Sequence, residues 1–271
     1  MAMVPAERVQ RAAAWLMDEH ATHQVFSPLA GELQPRSLDE AYDVQDALVA
    51  LRKARDGGRV GYKIALTTPA MRKFVGHDDS IAGQVLASTV RHSPATVRAT
   101  DAGRLGFECE LAFLIGADTD PAAPPADRAA IARHIEAICP AFELIDDRCA
   151  DYARFAADRS TLLSLAADNA WNHGVVLGDW RHDWAGLDTA ALRGAASING
   201  EPAGEGHGRD VLGHPLDAML WIARHLHARG AGLKRGEFVI TGSLITSKFP
   251  VAGDLVQFTV DGVGEVRMTV E

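Results

Sequence analysis

Residues 106–116, Gly106-Phe-Glu-Cys-Glu-Leu-Ala-Phe-Leu-Ile-Gly116 (GFECELAFLIG), decide how this chain is read. The composition is that of a strand headed for the core, yet it carries Glu108 and Glu110. Side chains two apart on a strand point the same way, so both acids share one face. Phe107, Cys109, Leu111, Phe113 and Ile115 line the other. Three readings follow: the acids face solvent on a half-exposed sheet, each pairs with an arginine, or they belong to a site.

Neighbouring segments repeat the pattern. Ile138-Cys-Pro-Ala-Phe-Glu-Leu-Ile-Asp146 is again an inward strand with one acid, Glu143, in an apolar setting. Val60-Gly-Tyr-Lys-Ile-Ala-Leu66 embeds Lys63 in an apolar strand. That lysine either snorkels to the edge or serves as a cation for a carboxylate or as a proton shuttle. Further strands are predicted near 83–90, 171–178, 194–199, 237–241, 255–260 and 264–270, with hairpin turns at Asn199-Gly200 and Asp261-Gly262. Helices are predicted over 5–19, from the capping box Ser37-Leu-Asp-Glu40 to the stop at Asp56-Gly57-Gly58, near 126–138 and over about 215–229. In the third of these Ile131, Ile135 and Ile138 share a face; in the fourth Pro215 starts and Gly230 ends the helix. The implied architecture is α+β, with an N-terminal helical cap over residues 1–58 and a β-rich domain over 59–271, where any site would lie.

The 271 residues are 47% hydrophobic and 23% charged, the balance of a globular protein with a substantial core. A net charge of −9 argues against a nucleic-acid partner. No apolar run is long enough for a bilayer, and the amphipathic, acid-containing start resembles neither a signal nor a transit peptide. Cys109, Cys139 and Cys149 are odd in number and lack zinc spacing, so they read as reduced, small apolar residues of a cytoplasmic protein.

Three strand-borne carboxylates, Glu108, Glu110 and Glu143, would supply hard oxygen ligands for Mg²⁺ or Mn²⁺ and leave positions open for water and substrate. Solvated or ion-paired acids remain the alternative. Asp168-Asn169 reads as a turn or as part of a site. His214 reads as a cap for the helix that begins at Pro215, and Thr241-Gly242-Ser243 as a strand end whose amides and hydroxyls can hold an anion.

In order along the chain, Gly61-Tyr-Lys63-Ile-Ala-Leu-Thr67, Phe107-Glu108-Cys-Glu110-Leu-Ala112, Pro140-Ala-Phe-Glu143, Ala167-Asp168-Asn169-Ala170, Val211-Leu-Gly-His214-Pro215, Thr241-Gly242-Ser243, Gly253-Asp254 and Gly262-Val-Gly264 form an ordered set. In this set the chain resembles the 2-oxopent-4-enoate hydratase / 4-oxalocrotonate decarboxylase group of the fumarylacetoacetate hydrolase-like superfamily, over nearly its whole length. The resemblance implies a β-rich mixed-sheet roll with an N-terminal helical cap, and a homo-oligomer acting on a small 2-oxo or 2-hydroxydienoic acid, with a neighbouring pathway enzyme as a further partner. It implies Glu108, Glu110 and Glu143 as ligands of Mg²⁺ or Mn²⁺, Lys63 as the active-site lysine, and Leu66, Asp168 and Ser243 as substrate contacts. Hydration in aromatic-compound breakdown is the first expectation. Decarboxylation of a 2-oxohexenedioate is the second, and C–C hydrolysis of an acylpyruvate, needing a His-Glu pair near His20 and His23, the third. A protein that only binds a small acid is the non-enzymatic alternative, against which the retained glutamates and Lys63 speak.

Departures from the pattern bear on substrate. The loop after the lysine strand is Gly76-His-Asp78-Asp79-Ser-Ile81-Ala82, with Asp78 or Asp79 in place of the usual acid as proton-transfer group. Trp171, His173 and Lys248 stand where smaller or neutral residues are usual, and an extra lysine in the pocket would favour a second substrate carboxylate.

Overall fold

The computed structural model describes residues 5–154 and 158–271. Its elements run α1 (Pro5–Ala21), α2 (Leu38–Asp56), β1 (Arg59–Ala65), α3 (Pro69–Val75), β2 (Ile81–Leu86), β3 (Val90–His92), β4 (Ala95–Val97), β5 (Leu105–Ile115), α4 (Arg128–Ala132), β6 (Ile135–Asp146), α5 (Arg159–Ala167), β7 (Asn172–Leu177), β8 (Arg193–Ile198), β9 (Glu201–His207), α6 (Pro215–Ala228), β10 (Phe238–Lys248), β11 (Leu255–Val260) and β12 (Gly264–Val270). The α+β mixed-sheet architecture expected from the sequence is present: one sheet orders β2-β1-β10-β5-β6-β7-β3, the other β4-β12-β11-β8-β9.

Three layers position the site. One face of β5 and β6 sends Phe107, Leu111, Phe113 and Phe142 into a core shared with Val256, Phe258, Val266 and Met268 of the second sheet. Phe107 and Phe142 meet edge to face with centroids 5.4 Å apart. The opposite face of the large sheet carries a smaller cluster that includes Ala112, Cys139, Ala141 and Ile240. A helical layer, with Leu16 of α1, Leu48 of α2, and Leu162 and Leu165 of α5, forms a third apolar cluster that reaches Leu66 and Trp171. Both faces of β5 are therefore covered, and the alternation that looked like core against solvent is core against a second interior.

Local signals behave as physics demands. Ser37 accepts from the Glu40 amide at 3.2 Å. The box does not close as expected, because the Glu40 carboxylate bonds the Arg36 amide at 2.8 Å and the Arg8 guanidinium at 2.5 Å. Asn199 and Gly200 both take positive φ, 54° and 83°, the backbone that a two-residue hairpin between β8 and β9 requires. His214 caps α6, accepting from the Leu216 amide at 3.0 Å.

Two expectations need correction. The helix predicted over 126–138 is only the short α4; Ile135 and Ile138 open β6, where they face Ile115 and Phe113 of β5. Spacing of three and four suits either element over so short a run, and pairing with β5 decides it. The strand predicted to stop at Thr241 runs on to Lys248 through irregular register, with the Ser243 hydroxyl accepting from the Cys109 amide at 3.0 Å where ladder bonds lapse.

Candidate active site

Pairing of β5 with β6 sets Glu108 directly opposite Glu143, and Glu110 opposite Ala141, two residues along the same face. Glu110 and Glu143 are wholly buried, so for them the solvent-face reading fails. One ligand oxygen from each of the three acids lies within 4.8 Å of the other two. Opposed like charges destabilise a sheet, and at that distance a pair repels by about 3.5 kcal/mol at an effective dielectric near 20.

Neighbouring groups answer part of this charge. Lys63 Nζ stands 3.1 Å from Glu143 Oε1, and Asn172 Nδ2 donates to the same oxygen at 2.9 Å. The Gly242 amide donates to Glu110 Oε2 at 2.6 Å, so the anion held by the Thr241-Gly242-Ser243 segment is a side chain of the protein itself. The Ser247 hydroxyl donates to Glu108. Glu110 Oε1 and Glu143 Oε2 are buried with no hydrogen-bond partner. Orphaned carboxylate oxygens are costly, and a cluster of hard oxygens with two of them free fits a divalent cation such as Mg²⁺ or Mn²⁺.

Electrostatics agree with that fit. Burial, together with Glu143 and Glu108, raises the Glu110 carboxyl well above the usual carboxylate range. Burial and Glu108 push Glu143 up to about 7, although Lys63 and Asn172 pull the other way. Burial opposes the charge on Lys63, but Glu143, Glu108 and Glu110 outweigh it and raise its pKa. In the metal-free cluster the carboxylates thus favour the charged form of the lysine. Burial raises the Cys109 and Cys139 thiols, which leaves neither as a nucleophile.

The position of Lys63 is set from a distance. Its Nζ donates to the Ala170 carbonyl at 3.1 Å. Ala170 lies in a run, Asn169-Ala170-Trp171, in which three consecutive residues other than glycine take φ of 53°, 48° and 60°. Each such residue costs about 1–3 kcal/mol unless its surroundings over-determine it. Here Asn169 bonds both backbone groups of Gln84, accepting at 2.7 Å and donating at 2.8 Å. The preceding Asp168 takes His20 Nε2 of α1 at 2.5 Å and Arg148 Nη2 at 2.7 Å. Gly83 lets the lysine pass, since a Cβ there would lie 2.7 Å from the Asn169 carbonyl oxygen and 2.9 Å from Lys63 Cγ.

Lys63 and Glu108 border a cavity of about 360 Å³ whose wall includes Leu66, Met71, Ile145, Leu165, Trp171 and Ile245. The structure brings Lys63, Leu66, Glu108 and Ser243 to this cavity, with Glu110 and Glu143 clustered beside Glu108. Asp168 and Asp78 do not line it. Asp168 is consumed by His20 and Arg148. Asp78 stands exposed beyond Gly76, whose left-handed φ of 64° turns the chain outward after α3. Asp79 is held by Trp221 Nε1 at 2.7 Å. Trp171 lines the cavity, whereas His173 and Lys248 do not. Sequence reasoning passed over Asn172 and Ser247, polar residues on otherwise apolar strands, and the Gly242 amide, which carries no side-chain signal.

Residues 66–271 match the family model described as fumarylacetoacetate (FAA) hydrolase C-terminal. A 2-keto-4-pentenoate hydratase of Paraburkholderia xenovorans (strain LB400) is 28% identical over 269 residues, 99% of this chain and 97% of that one. A 2-hydroxyhexa-2,4-dienoate hydratase of Comamonas testosteroni is 30% identical over 243 residues, covering 89% of each. Among solved structures, 4-oxalocrotonate decarboxylase from Pseudomonas putida G7, complexed with magnesium and adipate, shares the fold with a TM-score of 0.89 at 23% identity over the full length of both chains.

Proposed function

Because this chain belongs to the fumarylacetoacetate hydrolase family, and because its clustered glutamates and Lys63 meet an apolar cavity, we propose that it is a metal-dependent lyase that hydrates a 2-hydroxy-2,4-dienoate. Mg²⁺ or Mn²⁺, held by Glu108, Glu110 and Glu143, supplies a Lewis acid for the 2-oxo-acid end of the substrate. Lys63, whose Nζ stands 3.1 Å from Glu143 at the edge of the cavity, holds the substrate carboxylate by charge. Leu66, Trp171 and Ile245 lay the diene against an apolar wall and keep bulk water from it. The overall change moves the 2-hydroxyl proton to C5, then adds water across C3 and C4, with hydroxide at C4 and a proton at C3. The product is a 4-hydroxy-2-oxo acid.

The two partnerless, fully buried carboxylate oxygens carry this reading, because hydrogen bonds within the protein leave them unsatisfied. The hydratase names of the full-length relatives supply the reaction. Incubating the protein with Mg²⁺ or Mn²⁺ and a 2-hydroxydienoate, and identifying the product, tests it: loss of dienoate absorbance with a 4-hydroxy-2-oxo acid and no CO₂ is the expected outcome.

The full-length fold likeness to a decarboxylase keeps decarboxylation of a 2-oxohexenedioate as the second reading, and CO₂ release decides it. Acylpyruvate hydrolysis is disfavoured, because His20 is bonded to Asp168 and lies outside the cavity wall. The same reading takes the protein as a cytoplasmic homo-oligomer beside another enzyme of its pathway; light scattering and co-purification test those points. No helix among the described residues is long and apolar enough to cross a membrane.

A further inference from the structure

The charged groups around the cavity are unevenly placed. Among the described lining residues Lys63 is the single cation, and it is already set against Glu143 at the metal-binding end. The other two charged lining residues, Glu108 and Asp210, are both acids. Asp210 is exposed and fixed: its Oδ2 accepts from the His207 amide at 2.7 Å. The segment behind it is tied to the lysine strand's exit, where the Leu212 amide donates to the Thr67 carbonyl at 3.1 Å. Several lining hydroxyls are spent on the protein. Tyr152 donates to Asp147 at 2.8 Å, Ser243 to the Ile245 carbonyl at 2.5 Å, and Ser247 to Glu108. The lysine that sequence reasoning held ready for a second carboxylate, Lys248, does not reach the wall.

Against the described wall, a substrate with acids at both ends would bring its far carboxylate to apolar groups, threonine hydroxyls and the charge of Asp210. Burying an unpaired charge is unfavourable, and a like charge facing it builds in rejection of the wrong ligand. We propose that Asp210 is a specificity-determining residue of this cavity, whose charge disfavours a second carboxylate on the substrate. The proposal rests on the hydratase reading for its reaction, but its physical content is a binding preference.

The test is a matched pair, 2-hydroxyhexa-2,4-dienoate and 2-hydroxyhexa-2,4-dienedioate, which differ by methyl against carboxylate on C5. With metal-loaded protein, kcat/KM is expected to favour the methyl compound by about 100-fold or more. Asp210→Asn keeps an acceptor for the His207 amide but removes the charge, and shrinks the ratio by about tenfold, through a gain with the dienedioate read mainly in KM. Asp210→Lys shrinks it further. Equal use of both compounds by the wild type, or an unchanged ratio in Asp210→Asn, overturns the proposal. Calorimetry with 2-oxohexanoate and 2-oxohexanedioate separates the two layers. If neither dienoate turns over, yet the monoacid binds the metal-loaded protein more tightly and Asp210→Asn narrows the gap, the hydratase reading fails and the proposal stands. Equal affinities, or no binding of either acid, overturn it.

Discussion

Replacing Glu110 by glutamine separates the cost of the glutamate cluster from its use. Without metal, two buried acids and Glu108 lie within 4.8 Å of one another and share one lysine. Glu110 is pushed well above, and Glu143 up to about 7 from an ordinary 4.5, chiefly by burial. A raised carboxyl pKa contributes stability that is present at low pH and lost as pH climbs through the folded value. The contribution of a shift the size of that on Glu143 to the stability of the metal-free protein should therefore fall by about 3 kcal/mol from pH 4.5 through 7. Glutamine keeps an oxygen for the Gly242 amide and removes one acid. At the acid end the metal-free variant should stay within about 1 kcal/mol of wild type, since glutamine stands in for a carboxyl whose neutral form burial favours, and it should gain on the wild type as pH rises. Metal reverses the trend. At a free concentration of 100 times Kd it stabilises the wild type by about 2.7 kcal/mol, a rise of about 5–10 °C in Tm for a chain of this size, growing with pH because the ligands must be ionised. Glu110→Gln should lose most of that rise. Thermal melts with and without Mn²⁺ at pH 6, 7 and 8.5 provide the measurement. An unaltered metal response in Glu110→Gln, or a metal-free variant clearly weaker than wild type at pH 8.5, would refute the reasoning.

Other consequences are equally direct. Asn172→Leu removes the 2.9 Å donor to buried Glu143 and should cost about 1–3 kcal/mol in denaturant melts of the metal-free protein. Gly83→Ala forces a methyl to within 2.9 Å of Lys63 Cγ, so activity should drop by at least about tenfold while titrated metal content holds. Burial and Arg229 depress His225 to about 4, so the folded protein binds fewer protons than the unfolded chain between pH 4 and 6.5. His225 thus contributes stability that is lost as pH falls across that window, by at most about 1.4 kcal/mol per unit and opposite in sign to the glutamates; the difference in melts between wild type and His225→Gln should show it.

What the sequence disclosed and what it concealed divide along a physical line. The strand 106–116, the hairpins at Asn199-Gly200 and Asp261-Gly262 and the caps at Ser37 and His214 depend on local periodicity and turn chemistry, and were legible. Glu108, Glu110 and Lys63 stood out as polar groups on apolar strands. Their mutual distances depend on register between β5 and β6 and on the parallel pairing of β1 with β10, which no local pattern encodes. The same holds for the misread isoleucines of 126–138. Asp210, in a glycine-rich loop, became visible only once the chain had brought β9 round to the end of β1.

The left-handed run at Asn169–Trp171 bears on how such proteins can be recombined. Its first anchor, His20, belongs to α1, while the group it steadies, the Ala170 carbonyl, holds a lysine on β1. The helical segment is therefore part of the fixture that sets Lys63, and a cut after residue 58 would divide that fixture. A chimera that joins residues 1–58 of one relative to the rest of another is expected to keep the position of Lys63 only if positions 20 and 168 still recognise each other.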